Sequence, residues 1–186
     1  EAVFIEDQLG YNVMIDFLLA RRNFIKNKLP IVGPENENYW SFGDSYIKGA
    51  WIMHTLRHVI DNDSLWWSIL KSFAVENARS HVNTADFQRH VEARTDENFS
   101  YFFDQYFLDH RPPKLEYFQD GNKLFYRWAD VIPNFQMPLD VNINGIEKRI
   151  YPTAAVQILQ VPEFPVVIFR NWEFLISVKE NSALGG

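Results

Sequence analysis

Apolar residues recur at helical spacing through the first half of the chain and alternate through the second half. In residues 1 to about 26 they form one stripe of Val, Leu, Met and Phe side chains, with Gly10 as the expected break. Residues 27–40 contain two prolines and a glycine, which are typical of a loop. The first half is therefore predicted to be helical, with an early loop.

Three more helices are predicted where a polar residue that can cap a helix precedes an apolar stripe. The first of them is expected to run to about Ile60. The expected caps are Asp44 or Ser45, then Asp63 or Ser64, and then Thr84. A last helix is predicted from five aromatic residues at the spacing of one buried face, namely Phe99, Phe102, Phe103, Tyr106 and Phe107.

The pattern changes at Pro112 and Pro113, which cannot continue a helix. We place a domain boundary there, with a helical domain at 1–112 and a β domain at 113–186. Asp120-Gly121 and Asn144-Gly145 tolerate the positive φ of two-residue hairpin turns. The expected strands cover 115–117, 124–128, 139–143, 146–150, 156–158, 166–168 and 174–178. The predicted class is α+β, a helical part followed by a small β-sandwich of immunoglobulin-like or fibronectin-like type.

Composition narrows the functional classes. The chain has a net charge of -6 and no basic run, which argues against nucleic acid as a partner. It has no cysteine, which excludes disulfides, thiolate nucleophiles and cysteine metal sites. No apolar run approaches the length of a membrane-spanning helix, and the compartment stays open between cytoplasm and periplasm.

Tyr46 is the candidate catalytic residue. It stands near the start of a predicted helix, where backbone dipoles favour negative charge. A phenol there can donate a hydrogen bond to a developing oxyanion, an interaction that contributes about 3 kcal/mol. Local pattern alone leaves a packing role open as the alternative. Lys48 is not expected to share a helix face with Tyr46, and Gly49 is expected to permit close approach by a neighbouring element.

Two histidines resemble part of a metal site. His54 and His58 are four positions apart and could reach one ion. The zincin motif needs a glutamate directly after the first histidine, where this chain has Thr55, and no third ligand stands at a completing spacing. We expect no metal here and interpret both as partly buried surface histidines. Residues 61–64 resemble the start of a calcium loop but lack its glycine and closing carboxylate, so we interpret them as a turn and cap.

Short segments spread along the chain are similar, in the same order, to segments of one enzyme family. Residues 46–50 resemble its Tyr-Glu-Lys-Gly-Ala run, with Ile47 in place of the glutamate, and residues 99–106 resemble its Trp-Phe-Phe-Asp-Gln-Trp run. The other similar segments are 1–6, 84–87, 113–117 and 137–141. The family is that of the gluzincin zinc aminopeptidases, which includes aminopeptidase N and leukotriene hydrolase.

The resemblance implies the helical end of a thermolysin-like catalytic domain and the β-sandwich that follows it. Zinc in that family is held by an HExxH motif and a later glutamate, none of which this chain contains. Only the tyrosine carries over, onto Tyr46, as the stabiliser of the oxyanion. The chain begins at Glu1, inside an apolar stripe and without a cap, as expected for a piece of a longer protein.

The implied function is removal of N-terminal residues from peptides by a zinc-dependent parent enzyme. We expect this chain alone to bind no zinc, to be inactive, and to self-associate through apolar helix faces that the zinc-bearing half would cover. The alternatives are a non-catalytic scaffold of the same fold and a free-standing protein-binding module.

Overall fold

Helices occupy the first part of the chain in the computed structural model, which describes residues 1–34, 37, 39–41 and 43–185. A π-helical turn, Asp104–Leu108, follows the last of them. Within the described residues the α-helices are α1 (Ala2–Leu9), α2 (Tyr11–Arg22), α3 (Asp44–Ile60), α4 (Asp63–Glu76), α5 (Thr84–Thr95) and α6 (Ser100–Phe103). The helical prediction is confirmed, and Gly10 breaks the first stripe at a φ of 91°. The predicted loop at 27–40 lies partly outside the described residues.

The N-terminal caps of α4 and α5 lie one residue earlier than predicted. Asn62 Oδ1 accepts a hydrogen bond from the Leu65 N–H at 3.0 Å, and Asn83 Oδ1 accepts one from the Asp86 N–H at 3.0 Å. The Asp86 carboxylate accepts in return from the Asn83 N–H at 2.8 Å, which completes a capping box. In both helices the capping residue is an asparagine, which directly precedes the residues predicted as caps from the sequence pattern. The wrongly predicted caps are Asp63, Ser64 and Thr84.

The start of α3 also differs from the prediction. Gly43 is the capping position, with a φ of 84° and no side chain to bond the helix. Asp44 is buried, and its carboxylate accepts from the backbone N–H groups of Lys26 and Asn27, each at 2.8 Å. Ser45 instead bonds a neighbouring serine hydroxyl at 2.6 Å. Asp44 therefore links the start of α3 to the segment that follows α2, and it does not cap α3.

The second part of the chain forms two small sheets. Its strands are β1 (Lys114–Asp120), β2 (Lys123–Ala129), β3 (Leu139–Ile143), β4 (Ile146–Ile150), β5 (Gln157–Gln160), β6 (Val167–Phe169) and β7 (Ser177–Glu180). One sheet has the order β5-β2-β1-β7 and the other the order β4-β3-β6, and the β1–β7 pair is parallel. The α+β class, a helical part followed by a sandwich-like part, is confirmed. A domain boundary between residues 112 and 113 stays a prediction.

The predicted strand at 174–178 was wrong over its first half, because residues 171–176 form an irregular, largely buried connection that we call the clasped segment. The Thr55 hydroxyl of α3 accepts from the Leu175 N–H at 2.8 Å, and the Tyr106 hydroxyl donates to the Leu175 carbonyl at 3.1 Å. The Arg22 guanidinium donates to the carbonyl of Phe174 at 3.3 Å and to that of Ile176. Side chains from the helices thus take the place of a strand neighbour.

Gly49 provides a test of the packing around α3. The expectation of close approach was wrong, because a Cβ placed on Gly49 would meet no atom within 4 Å. Gly49→Ala should raise the free energy of unfolding by up to about 1 kcal/mol, since alanine favours helix and nothing obstructs it. Gly43→Ala is the matched control, and should lower it by about 1–2 kcal/mol because its φ is 84°. Urea denaturation measures both, and a destabilised Gly49→Ala variant would contradict the open surroundings.

Candidate functional site

A groove runs along one side of the first three helices. Its volume is about 840 Å³, and it is open to solvent along its length. The helices that border it are amphipathic, and each turns mainly apolar side chains toward it. The lining residues are Glu1, Ala2, Phe17, Leu18, Ala20, Arg21, Phe24, Tyr46, Ile47 and Ala50. Such a groove suits an extended or helical polypeptide better than a small charged ligand.

Tyr46 lies at the edge of this groove. Its side chain is 74% exposed, and its hydroxyl has no hydrogen-bond partner among the described residues. Lys48, two positions on, is 0% exposed and points the other way, so the prediction that the two do not share a face is confirmed. The first turn of α3 therefore presents a free phenol donor to whatever occupies the groove.

Lys48 holds the first turn of α3 in place. Its Nζ donates to the carbonyl of His110 at 2.8 Å, in the connection between the helices and the sheets. Burial lowers the pKa of Lys48, while Asp44 and Asp109 act in the opposite direction. The residue thus links the start of α3, and with it the position of Tyr46, to the chain that enters β1.

His54 and His58 lie nearer the C-terminal end of α3, where the helix meets the clasped segment. Their ring centroids are 4.6 Å apart, and the Tyr11 hydroxyl lies 3.1 Å from His58 Nε2. Burial lowers the pKa of His54 to about 4 and that of His58 to about 3, with further lowering of each by Arg57. The expectation of partly buried surface histidines was wrong for His54, which is 6% exposed. These rings lie where the helices pack against the clasped segment. We call this region, which includes Tyr11, His54, His58 and the clasped segment, the joint.

Glu173 of the clasped segment faces His58 across that joint. Its side chain is 3% exposed, and its Oε2 lies 3.9 Å from His58 Nδ1, too far for a hydrogen bond. Arg170 pairs with the other carboxylate oxygen. Burial raises the pKa of Glu173 to about 7, and Asp140 and Glu147 also raise it. No sequence motif signals this group, because its members are far apart along the chain.

Ser72, His90 and Glu76 have the order of a catalytic triad. Ser72 Oγ lies 2.9 Å from His90 Nε2, and His90 Nδ1 lies 3.5 Å from Glu76 Oε2. Ser72 sits inside α4, however, where backbone N–H groups are used within the helix and none is free to form an oxyanion hole. Its hydroxyl also bonds the Ile69 carbonyl at 3.1 Å. We interpret these three side chains as a polar contact that holds α4 and α5 together.

Within the part of the chain that the structure describes, no three His, Asp or Glu side chains converge as they would around a metal ion. Over the same residues, no helix is both long and apolar enough to cross a membrane.

The fold is similar to that of a solved aminopeptidase. The match is to aminopeptidase A of Legionella pneumophila, whose structure was determined in complex with aspartic acid, with a TM-score of 0.62 and 16% sequence identity. It covers 97% of this chain but only 23% of that enzyme. No family model and no curated relative matches the chain. The chain thus has an aminopeptidase-like fold, and spans about a quarter of the length of the enzyme it resembles.

The joint predicts a pH dependence of stability. Between pH 4.5 and 6.5 the unfolded chain binds protons at His54 and His58 that the folded chain excludes, whereas the folded chain holds one at Glu173. The unfolded chain therefore binds more protons than the folded chain, two at the histidines against one at Glu173. The free energy of unfolding should rise with pH over this range. Above pH 6 the unfolded histidines lose their protons while Glu173 ionises in the folded chain, so the two effects come to cancel. The free energy of unfolding is therefore expected to level off near pH 7.

Urea denaturation at pH 5.5, 6.5 and 7.5 would measure this curve. Glu173→Gln should make the rise between pH 5.5 and 6.5 steeper, because glutamine binds no proton to offset those of the two histidines. Glu163→Gln, at an exposed carboxylate of the same half, should leave the curve unchanged. A rise of unaltered slope in Glu173→Gln would show that Glu173 holds no proton over this range.

Proposed function

We propose that this chain is the C-terminal part of a zinc-dependent aminopeptidase of the gluzincin type, and that Tyr46 stabilises the oxyanion in its reaction. The observation that carries the proposal is the position of Tyr46, a free phenol at the first turn of α3 on the edge of an open groove. The aminopeptidase-like fold and the sequence resemblance around residues 46–50 support it. The substrate class is peptides with a free N-terminus.

Tyr46 would act by donating its phenolic hydrogen to the oxygen that becomes negative as the peptide carbonyl is attacked. Such a bond is stronger in the transition state than in the ground state and contributes about 3 kcal/mol. The N-terminal end of α3 favours the same negative charge. Because Lys48 anchors the turn to the His110 carbonyl, the phenol would need little reorganisation during the reaction.

The residues present do not fit a zinc ion. His58 Nε2 lies next to the Tyr11 hydroxyl, and both histidine rings are enclosed by the joint, where no described carboxylate completes a ligand set with them. In the proposal zinc is held by polypeptide outside this chain, through the HExxH motif and glutamate that the resemblance implies.

A protein-binding role is the second candidate. Large apolar side chains on α1 and α2 are exposed to solvent, among them Val3, Phe4, Leu9 and Val13. Exposed apolar surface of this kind marks contact with another polypeptide. In the aminopeptidase proposal that polypeptide is the rest of the enzyme, whereas in a scaffold or binding module it is a separate partner. The coding sequence upstream of Glu1 discriminates between them, since the first proposal requires an HExxH motif there.

The first functional test is Tyr46→Phe in the polypeptide that includes the upstream motif. Removal of the phenolic donor should lower kcat by about 100-fold with little change in KM, since the bond is made in the transition state. Tyr151→Phe is the matched control, because Tyr151 is also exposed but lies in the sheet part. Peptidase assays on a chromogenic amino-acid anilide measure both. An unchanged kcat in Tyr46→Phe would remove Tyr46 from the mechanism.

The second test is self-association of the 186-residue chain. If α1 normally lies against other polypeptide, its exposed face should pair with a second copy, and light scattering should show species heavier than 22.0 kDa. Phe4→Ser should weaken that association because Phe4 is an exposed side chain of α1. Phe164→Ser, at an equally apolar exposed position among the strands, is the control. A chain that stays monomeric at high concentration would contradict the prediction.

A further inference from the structure

The joint between helices and sheets carries more carboxylates than cations. Three arginines lie there, and each is within ion-pair distance of two carboxylates. The sets are Arg57 with Glu6 and Asp63, Arg149 with Asp61 and Asp140, and Arg170 with Glu147 and Glu173. Lys148 borders the adjoining hollow and offsets only part of the excess. When all these groups are ionised, the joint is net negative.

A polar pocket of about 310 Å³ opens into this joint. Its walls are Arg57, His58, Asp61, Asp63, Asp140, Arg170 and Glu173. The side chain of Glu173 is only 3% exposed, and its Oε2 accepts no hydrogen bond from any residue that the structure describes. Arg170 Nε is also buried, and it has no hydrogen-bond partner among the same residues. A native structure seldom leaves such groups unsatisfied, because each costs about 1–3 kcal/mol.

These two atoms have complementary requirements. Glu173 Oε2 needs a donor, best a positively charged one given the excess of carboxylates around it. Arg170 Nε needs an acceptor. A primary ammonium with a nearby hydroxyl supplies both, and the pocket is large enough for such a molecule. A cation without N–H or O–H groups would give Glu173 Oε2 no hydrogen bond and would offer Arg170 Nε no acceptor.

We propose that this joint pocket is a binding site for a small organic cation that carries a primary ammonium group. The ammonium donates to Glu173 Oε2, and the surrounding carboxylates stabilise its charge. The proposal is independent of the peptidase function, since the pocket borders the last turn of α3, whereas Tyr46 and its groove border the first turns, about 18 Å away along the helix. Occupation of the site would join the clasped segment more firmly to α3.

Binding should depend on pH through Glu173. Burial holds the pKa of its carboxyl at about 7, so a cation that pairs with the ionised form must displace a proton below that pH. The charged and titratable groups that face Glu173 come from seven parts of the chain. They are Tyr11 of α2, His54, Arg57 and His58 of α3, Asp61 of the turn before α4, Asp63 of α4, Asp140 of β3, Glu147 and Arg149 of β4, and Arg170.

The test is titration calorimetry of the 186-residue chain with ethanolammonium chloride at pH 6.0 and 8.0. Binding is expected at both, about tenfold tighter at pH 8.0, where Glu173 is already ionised. Tetramethylammonium chloride is the matched probe, because it has the same charge but no N–H donor, and it should bind at least about tenfold more weakly. Sodium chloride and magnesium chloride are also titrated at equal ionic strength. If Na⁺ or Mg²⁺ bound more tightly than ethanolammonium, the pocket would be a metal site and the proposal would be wrong.

Variants assign the binding to this pocket. Glu173→Gln should abolish the heat of ethanolammonium binding and its pH dependence. Asp61→Asn removes a carboxylate from the rim, at a position whose φ of 54° asparagine also adopts, and should weaken binding by about threefold. Glu163→Gln, outside the pocket, should bind as the unchanged chain does. No measurable binding of ethanolammonium, equal binding of tetramethylammonium, or unchanged binding in both pocket variants would each overturn the proposal.

Discussion

The relation between helices and sheets depends on how the backbone of the clasped segment is bonded. Residues 171–176 are largely buried but belong to no strand, so their N–H and C=O groups need other partners. Arg22, Thr55 and Tyr106 supply them from three separate helical elements. Because a buried unpaired backbone group costs about 1–3 kcal/mol, the segment is held only where all three elements are in place. The two halves of the fold therefore stabilise each other through hydrogen bonds as well as through apolar contact.

Helix α3 connects this constraint to both candidate sites. Its first turn carries Tyr46 on one side and the buried Lys48 on the other, and Lys48 reaches the chain that enters the sheets. Its last turn is held by Arg149, which donates to the carbonyls of His58 and Val59 at 3.0 and 2.6 Å. Such contacts at a helix C-terminus satisfy carbonyls that lack intrahelical partners. The groove thus lies beside the first turns of α3 and the joint pocket beside its last turn, and both ends of the helix are bonded to the rest of the fold.

Periodicity alone predicted most elements correctly, and the errors have local causes. The helical stripe, the break at Gly10 and the Asn144-Gly145 turn depend on residues next to each other in sequence, so the pattern suffices. The first hairpin turn lies one residue later than predicted, at 121–122, because Asp120 still pairs with Lys123 at the end of β1. The caps were misplaced by one residue because Asn62 and Asn83 adjoin other good capping residues. Gly49 was expected to mark a close contact, yet the space beside it is open. The candidate tyrosine was identified by resemblance, and its exposure at a groove could not be derived from the sequence, since exposure depends on which elements pack beside it.

The sequence by itself determined the order of helices and strands, the absence of cysteine chemistry and the choice of Tyr46 as a candidate. It could do so because hydrophobic spacing, turn residues and residue type are local properties. Only the tertiary structure decided that His54 is buried, that residues 174–176 leave the predicted strand, and that Glu173 faces His58 with one oxygen unpaired. Each of these results from contacts between residues about 40 to 155 positions apart, and hydrogen bonding and burial over such separations exist only once the chain has folded.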